Sequence, residues 1–256
     1  MIKAAFFDLD GTLLSHTTKT VSQGTVDALN RLRQRGIPCI AATGRHILEM
    51  EKLPIEQLHF DGYLTMNGQL MLDEKKEVMF GVPITGQAKD LLLNLFESNA
   101  LPVLLLEQDR IYLNHVDAVV EAAQETISTP IPELGTYEGA PIYQACLYLP
   151  AEGHPCLEKL QQQCQVTWWH SQGVDIVAKG GGKVAGIQKY LEANGIKREE
   201  TIAFGDGHND LEMLMFAGIG VAMGNAEESV KAAADYVTAS VDDEGVAKAL
   251  KHFQLI

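Results

Sequence analysis

The chain has 256 residues, of which 46% are hydrophobic and 21% are charged, a composition typical of folded globular proteins and unlike that of disordered ones. Its 20 basic and 34 acidic residues give a formal net charge of −14, which disfavours nonspecific binding to nucleic acid and to anionic membrane surfaces. No apolar segment approaches the roughly 20 residues that span a bilayer, and no signal peptide is evident. We therefore expect a cytoplasmic protein that binds neither nucleic acid nor membranes.

The N-terminal part of the chain alternates predicted strands with predicted helices. Apolar runs predict the strands, and apolar residues at helical spacing predict the helices. In chain order these elements are a strand at 2–8, a helix at 21–35, a strand at 37–42, a helix at 47–53 and a strand at 62–65. Because parallel strands are joined by crossover connections, this order predicts a parallel sheet.

The pattern changes near residue 82, where predicted helices begin to mix with adjacent pairs of strands. The elements are a helix at 84–98, a strand pair at 103–107 and 110–114, a helix at 117–127, a strand at 142–149, a helix at 155–164 and a strand pair at 166–170 and 174–178. This mixture predicts an α+β domain at 82–182, inserted between glycine-containing linkers at 81–83 and 180–182. Alternation along its last strand pair predicts that one of Trp168 and Trp169 lies in the core and the other outside.

The first pattern returns after Lys183. The elements are a helix at 184–193, a strand at 201–205, a helix at 211–216, a strand at 219–223 and a helix at 227–234. We therefore predict an α/β fold in which residues 1–81 and 183–256 build a Rossmann-like parallel-sheet core around the inserted domain.

Polar side chains stand where four of the predicted strands end. They are Asp8, Asp10, Thr43, Asn67, Asp206 and Asp210. In an open α/β sheet ligands bind beyond the carboxyl ends of the strands, so these segments can converge on one site. Neighbouring carboxylates repel one another unless a cation intervenes, and oxygen ligands favour Mg²⁺. Carboxylates, Mg²⁺, a lysine and a hydroxyl group are the parts that phosphoryl transfer requires.

Four segments resemble, in the same order, the four motifs of the haloacid dehalogenase-like phosphatases. They are Asp8-Leu9-Asp10-Gly11-Thr12-Leu13-Leu14, Ala42-Thr43-Gly44-Arg45, Lys183, and Gly205-Asp206-Gly207-His208-Asn209-Asp210. Within that family the chain is most similar to the Cof-type subfamily with a C2B cap. Two further segments support this similarity, Met223-Gly224-Asn225-Ala226 and Asp243-Glu244-Gly245-Val246-Ala247. One such motif alone is weak evidence, but the ordered set is specific.

The resemblance implies that residues 82–182 form a cap that closes over the cleft, excludes water and selects the leaving group. It also implies a Mg²⁺-dependent phosphatase that hydrolyses small phosphorylated metabolites, such as sugar phosphates, through a phosphoaspartate. Two alternatives stay open: a phosphomutase, which returns the phosphoryl group to the substrate, and a noncatalytic metabolite-binding regulator on the same fold. The regulator has no need for both Asp8 and Asp10.

The resemblance further implies roles for individual residues. Asp8 would be the nucleophile, and Asp10 would be the acid and base. The groups that would hold the phosphoryl oxygens are Thr43, Gly44, Lys183, Asn209 and the backbone N–H near Leu9. The groups that would hold Mg²⁺ are Asp8, the main-chain carbonyl of Asp10, and Asp206, with Asp210 orienting them from outside. The residues that would line a substrate cleft are Arg45, Asn67 and Gly68.

Three points stay open at this level. Lys179 competes with Lys183 as the phosphate lysine, although only Lys183 keeps the family's spacing and begins a predicted helix. Arg45 either contacts the substrate or forms a surface ion pair. The glycines at 180–182 are either a hinge that couples cap closure to the placement of Lys183 or a tight turn that needs glycine for steric reasons.

Overall fold

The computed structural model describes residues 1–126, 130–150 and 154–256. Contacts group these residues into two units, the first made of 1–80 and 182–256 and the second of 81–181. The divisions lie one residue from those expected from the sequence. Each unit has its own hydrophobic core.

The described residues form two sheets and nine α-helices. In chain order the strands are β1 (Ala4–Phe7), β2 (Cys39–Ala42), β3 (Gly62–Thr65), β4 (Leu70–Asp73), β5 (Val78–Gly81), β6 (Val103–Leu106), β7 (Ile111–Leu113), β8 (Gln144–Tyr148), β9 (Cys164–His170), β10 (Gly173–Ala178), β11 (Thr201–Gly205), β12 (Ile219–Ala222) and β13 (Tyr236–Val237). The helices are α1 (Gln23–Gln34), α2 (Ile47–Met50), α3 (Gly86–Glu97), α4 (Ala118–Thr126), α5 (Cys156–Gln163), α6 (Lys183–Asn194), α7 (Leu211–Phe216), α8 (Glu228–Ala233) and α9 (Gly245–His252). Within the described part of the chain, none of these helices has the length and hydrophobicity that crossing a membrane requires.

The larger sheet has eight strands in the order β13-β12-β11-β1-β2-β3-β4-β5. The strands from β13 to β3 run parallel to their neighbours, whereas β4 is antiparallel to β3. The predicted α/β class and the parallel sheet at its centre are therefore confirmed. Strand β4 and the two edge strands β5 and β13 are absent from the prediction, because such short segments give no periodic signal that separates them from a loop.

The chain reverses immediately after β3. Met66, Asn67 and Gly68 have φ angles of 50°, 55° and 82°, in the left-handed region that residues with side chains seldom adopt. This turn sends the chain back beside β3 as β4, in place of the crossover that a further parallel strand would need.

Strand β1 lies in the middle of the sheet, between β11 and β2, and all its residues are buried. Phe6 packs edge-on against Tyr190 of α6, and Phe7 stacks on Phe204 of β11 with ring centroids 4.9 Å apart. Since both faces of such a strand are covered, its sequence is an unbroken apolar run. The next residue, Asp8, therefore stands at the carboxyl end of the central strand.

The second unit contains a five-stranded antiparallel sheet in the order β7-β6-β8-β10-β9. Both predicted strand pairs, β6 with β7 and β9 with β10, are confirmed. Leu92 of α3 and Leu160 of α5 share one core with alternate residues of the sheet. The prediction for the tryptophans is wrong for the inner one: Trp168 is 49% exposed, and Trp169 is only half-buried and packs edge-on against Tyr148.

The predicted helix at 47–53 is shorter in the structure, and the predicted helix at 117–127 is described for most of its length. Helix α2 is one turn long instead of the predicted seven residues, because Pro54 disfavours helical backbone at the residue before it. Helix α4 is described as far as Thr126, and Ile127, the predicted last residue, lies outside the described residues.

Candidate active site

The loop after β1 brings Asp8, Asp10 and Thr12 toward the loop after β11. Gly11 has a φ of 81°, and a Cβ at that position would overlap the carboxylate of Asp206. Glycine is therefore required here for two reasons, its backbone conformation and the close approach of Asp206. Thr12 Oγ1 donates a hydrogen bond of 2.9 Å to Asp206 Oδ1, which ties the two loops together.

Lys183 is buried and lies between two carboxylates. Its Nζ donates hydrogen bonds to Asp8 Oδ1 at 2.8 Å and to Asp210 Oδ1 at 2.6 Å. Lys179 lies elsewhere: its Nζ donates to the Gln162 carbonyl at 2.7 Å and is exposed. Of the two candidate lysines, only Lys183 belongs to the carboxylate cluster.

The charges of this cluster shift one another's protonation. Burial lowers the pKa of Lys183, but the carboxylates of Asp210 and Asp8 outweigh burial and raise it, so Lys183 is an ammonium group. Burial raises the pKa of Asp8 well above its usual range, and the charge of Asp210 adds to the effect while Lys183 opposes it. Burial also raises the pKa of Asp206 to about 6. One lysine therefore leaves the negative charge of three aspartates partly uncompensated.

Carboxylate oxygens of Asp8, Asp206 and Asp210 all lie within 4.8 Å of one another. A donor set made only of oxygen suits a hard divalent cation, and the uncompensated charge favours one. Asp210 has the fewest free lone pairs, because Oδ1 accepts from Lys183 and Oδ2 accepts from the backbone N–H groups of Asp206 and Gly207, each at 3.0 Å. The residues present therefore fit a divalent metal held chiefly by Asp8 and Asp206 and supported by Asp210.

Arg45 forms an ion pair with Asp10. Its Nε and Nη2 donate to the two carboxylate oxygens of Asp10 at 2.6 and 2.8 Å. The hydrogen bonds with Asp10 raise the pKa of Arg45, despite the opposing effect of burial. Of the two possibilities left by the sequence, the structure contains the ion pair, and its partner is the predicted acid and base.

Thr43 is buried at the end of β2, and its hydroxyl accepts a hydrogen bond of 3.1 Å from the backbone N–H of Arg45. This contact holds the chain in a tight loop after β2. Within the described part of the chain, the backbone N–H groups of Leu9 and Gly44 donate no hydrogen bond. Leu9 is buried and Gly44 is partly buried, and such N–H groups seldom lack an acceptor, so these two are available to an anion.

Asn67 and Asn209 meet at the edge of the cluster, where Asn209 Nδ2 lies 3.5 Å from Asn67 Oδ1. Gly44 packs against the Asn67 side chain. Gly68 is buried, and a side chain there would overlap the backbone of Gly182. The turn after β3 therefore packs against the start of α6, which accounts for the glycine at position 68 without a substrate.

Sequence reasoning missed the roles of Thr12 and Asn225. Asn225 Nδ2 donates to Asp206 Oδ2 at 3.2 Å and to the Gly11 carbonyl at 2.8 Å. Both residues belong to segments that carry the family resemblance. Their presence in those segments was the only available signal, because their contacts join positions far apart in the chain.

Comparisons with known proteins show the family to which the chain belongs. Residues 5–250 match the family model for haloacid dehalogenase-like hydrolases. The chain is 32% identical to the Bacillus subtilis protein YkrA, covering 99% of this chain and 98% of that one. It is 30% identical to the pyridoxal phosphate phosphatase YbhA of Escherichia coli K12, covering 94% of each chain. Among solved structures, the sugar phosphatase BT4131 superposes with a TM-score of 0.82 and 34% identity, covering 99% of this chain and 100% of that one.

Proposed function

Because this chain belongs to the haloacid dehalogenase-like hydrolase family and is a phosphoric monoester hydrolase, we propose that it hydrolyses small phosphorylated metabolites through a phosphoaspartate at Asp8. The observation that carries this proposal is the position of Asp8. It ends the central strand, its carboxylate accepts from the buried ammonium of Lys183, and it lies within 4.8 Å of two further aspartates. Such a cluster positions a nucleophile beside the Lys183 ammonium and leaves negative charge that a divalent cation would offset during phosphoryl transfer.

The proposed reaction has two steps. In the first, a carboxylate oxygen of Asp8 forms a bond to phosphorus, the ester P–O bond breaks, and Asp10 gives its proton to the leaving alkoxide oxygen. In the second, Asp10 takes a proton from water, the water oxygen bonds to phosphorus, and the P–O bond to Asp8 breaks, which releases phosphate and restores the carboxylate.

The phosphoryl oxygens would be held by groups that have spare hydrogen-bond donors. The unpaired backbone N–H groups of Leu9 and Gly44 support this assignment, as does the position of Lys183 beside Asp8. Thr43 and Asn209 would complete the set. Fixed donors of this kind stabilise charge that develops during transfer.

Mg²⁺ is the divalent cation that we propose for the cluster, since hard oxygen donors suit it. Asp8, Asp206 and the main-chain carbonyl of Asp10 would hold it, with Asp210 fixing their orientation. When bound, Mg²⁺ supplies positive charge to the transferring phosphoryl group and reduces the repulsion between the carboxylates.

The proposed substrates are sugar phosphates and similar small esters, in keeping with the similarity to the pyridoxal phosphate phosphatase YbhA and the sugar phosphatase BT4131. We propose that the second unit acts as a C2B-type cap that selects the leaving group, and that the protein works in the cytoplasm. The net charge of −14 supports a small-molecule partner over nucleic acid.

The test is a phosphate-release assay over a panel of phosphorylated metabolites with Mg²⁺ and then with EDTA. We expect release with Mg²⁺ only, and loss of turnover to background in Asp8→Asn, which keeps the shape of the side chain but removes most of its nucleophilicity. Asp109→Asn, at an exposed position of the second unit, is the matched control and should keep full activity. Mass spectrometry of the trapped wild-type enzyme should find phosphate on Asp8.

Normal turnover by folded Asp8→Asn would refute the covalent mechanism. Isomerisation of the substrate without release of phosphate would identify a phosphomutase instead.

A further inference from the structure

Asn225 follows β12 and joins three segments of the first unit. Its Nδ2 is 2.8 Å from the carbonyl oxygen of Gly11 and 3.2 Å from Asp206 Oδ2. Its Oδ1 accepts a hydrogen bond of 2.9 Å from the backbone N–H of Val241. The loop after β1, the loop after β11 and the segment before α9 therefore meet at one side chain.

This arrangement uses both donors of a primary amide. An asparagine has two N–H donors and a carbonyl oxygen with two lone pairs, and here two acceptors face the nitrogen while one donor faces the oxygen. The partners fix the orientation of the amide, because the Val241 N–H can only donate whereas the Gly11 carbonyl can only accept. No other standard side chain of this length offers both a double donor and an acceptor.

The carboxylate of Asp206 is consequently held at both oxygens. Thr12 donates to Oδ1 and Asn225 donates to Oδ2, at 2.9 and 3.2 Å. These two hydrogen bonds restrict rotation of the carboxylate, and each oxygen keeps a lone pair for a further ligand. A carboxylate fixed in this way needs little reorganisation when it binds a cation.

We propose that Asn225 is a positioning residue for the metal-binding carboxylate of Asp206, an inference that rests on the metal site of the proposed function. Asn225 acts through Asp206 and the Gly11 carbonyl. Groups that orient a metal ligand in this way typically change metal affinity or activity about 10- to 100-fold when they are replaced.

The test measures Mg²⁺ binding by calorimetry and by the rise of melting temperature with Mg²⁺, both without substrate. Asn225→Ala should weaken Mg²⁺ binding about 10-fold. In the assay, the Mg²⁺ concentration for half-maximal rate should rise, while the KM of the substrate at saturating Mg²⁺ stays near that of the wild type. Thr12→Val should weaken Mg²⁺ binding in the same direction, and Thr12→Ser, which keeps the hydroxyl, should not.

Two further variants separate positioning from a structural role. Ser240→Ala changes the segment that holds Val241 without touching Asp206, so Mg²⁺ binding should be unchanged. Asn225→Asp keeps the acceptor for the Val241 N–H and should fold even where Asn225→Ala does not. It places one more carboxylate beside Asp206, so the kcat at saturating Mg²⁺ should fall at least about 10-fold because repulsion displaces the Asp206 carboxylate.

The outcomes distinguish this inference from the proposed function. Wild-type Mg²⁺ affinity in Asn225→Ala, or wild-type kcat in Asn225→Asp, would overturn the inference and leave Asn225 as a structural link to Val241. If the wild-type protein binds no Mg²⁺, or Asp206→Asn binds it as tightly as the wild type, the metal site itself is wrong. In that case the proposed Mg²⁺ site fails, and the role of Asn225 fails because it depends on that site.

Discussion

Arg45 occupies both oxygens of Asp10, and this contact has a consequence for the proposed acid. While the guanidinium holds the two oxygens at 2.6 and 2.8 Å, neither oxygen is placed to give a proton to a leaving group. We therefore expect Arg45 to release at least one oxygen when substrate binds. The hydrogen bond that remains would then let Arg45 set the direction in which the Asp10 carboxyl group points.

Substitution of Arg45 should affect substrates according to their need for a proton. Arg45→Ala should slow phosphoenzyme formation from a sugar phosphate about 10-fold or more, because general acid catalysis supplies about 10²- to 10⁴-fold and depends on orientation. The loss should be smaller with p-nitrophenyl phosphate, whose leaving group needs little protonation. With a sugar phosphate, the rate of phosphoenzyme formation in Arg45→Lys should lie between those of the wild type and Arg45→Ala, since an ammonium group cannot form the two parallel hydrogen bonds. Single-turnover kinetics with both substrates measures the difference.

The chain offers a matched control for this experiment. Arg33 makes the same kind of paired contact with Asp61, with Nε and Nη2 each 3.0 Å from one of its oxygens. Arg33→Ala removes a similar ion pair on another part of the first unit and should not discriminate between the substrates. Equal losses on both substrates in Arg45→Ala would mean that Arg45 does not act through Asp10.

Individual residues could be predicted from the sequence where chemistry dictates their type. Asp8 and Asp206 follow apolar strands and Lys183 begins a predicted helix, all in ordered motifs, and the structure brings the three together. The partner of Arg45 could not be predicted, because an ion pair depends on the path of two loops that periodicity does not describe. The hydrogen-bond partners of Asn225 could not be predicted either, because they lie on other loops.

At the scale of elements, the start of α6 places Lys183. Gly182 precedes the helix with φ 105° and ψ 161°, a region open essentially only to glycine. Gly180 also has a positive φ, at 81°, whereas Gly181 has not. The three glycines at 180–182 are therefore not equivalent, and the steric need for glycine falls on the first and the last.

Substitution of the glycines at 180–182 should be costly where φ is positive and tolerated at Gly181. Gly182→Ala should lower the free energy of unfolding by about 1–3 kcal/mol and reduce kcat, because strain at 182 displaces Lys183. Gly181→Ala is the matched control, and on steric grounds it should keep both stability and kcat. Urea unfolding and steady-state kinetics check both variants. Slower turnover of metabolites in a fully stable Gly181→Ala protein would contradict the purely steric account and favour the hinge.

Elements could be predicted where they are long or central. Helix α6 and strand β11 have clear apolar patterns and appear at the predicted places, because their burial dictates their sequences. Strand β5 could not be predicted, since Val78 and Met79 are both exposed, at 42% and 48%, and show no alternation. The reversal that produces β4 depends on three consecutive positive φ angles, two of them at residues with side chains.

At the scale of the whole molecule, the carboxylate cluster costs stability when no cation is bound. The folded state raises the pKa of Asp206 from 3.8 to about 6, so the folded protein binds more protons than the unfolded chain between these values. Stability contributed by this group is therefore lost as pH rises from about 4 to about 6, by at most about 3 kcal/mol. A bound cation should restore it above that range.

The comparison of wild-type protein with Asp206→Asn isolates this contribution. Without Mg²⁺, the variant should gain stability relative to the wild type between about pH 4 and about pH 7.5, since the amide has no charge to bury. Addition of Mg²⁺ near pH 7.5 should raise the melting temperature of the wild type and not that of the variant. Thermal unfolding of both proteins near pH 4 and near pH 7.5, with EDTA or with Mg²⁺, measures this stability difference. A stability difference that does not change with pH would contradict the raised pKa.

The position of β1 also dictates when the site can exist. Ala4 of β1 pairs with Thr201 of β11, so the central strand meets one of its two neighbours only after about 200 further residues have been synthesised. At ribosomal rates of about 5 to 20 residues per second, β1 has an unpaired edge for about 10 to 40 s. During that time the nascent chain carries Asp8 and Asp10, lacks Lys183 for most of the interval and lacks Asp206 throughout. A chain that stops before Asp206 therefore lacks part of the carboxylate cluster, and assembly of the candidate site follows closely on closure of the sheet.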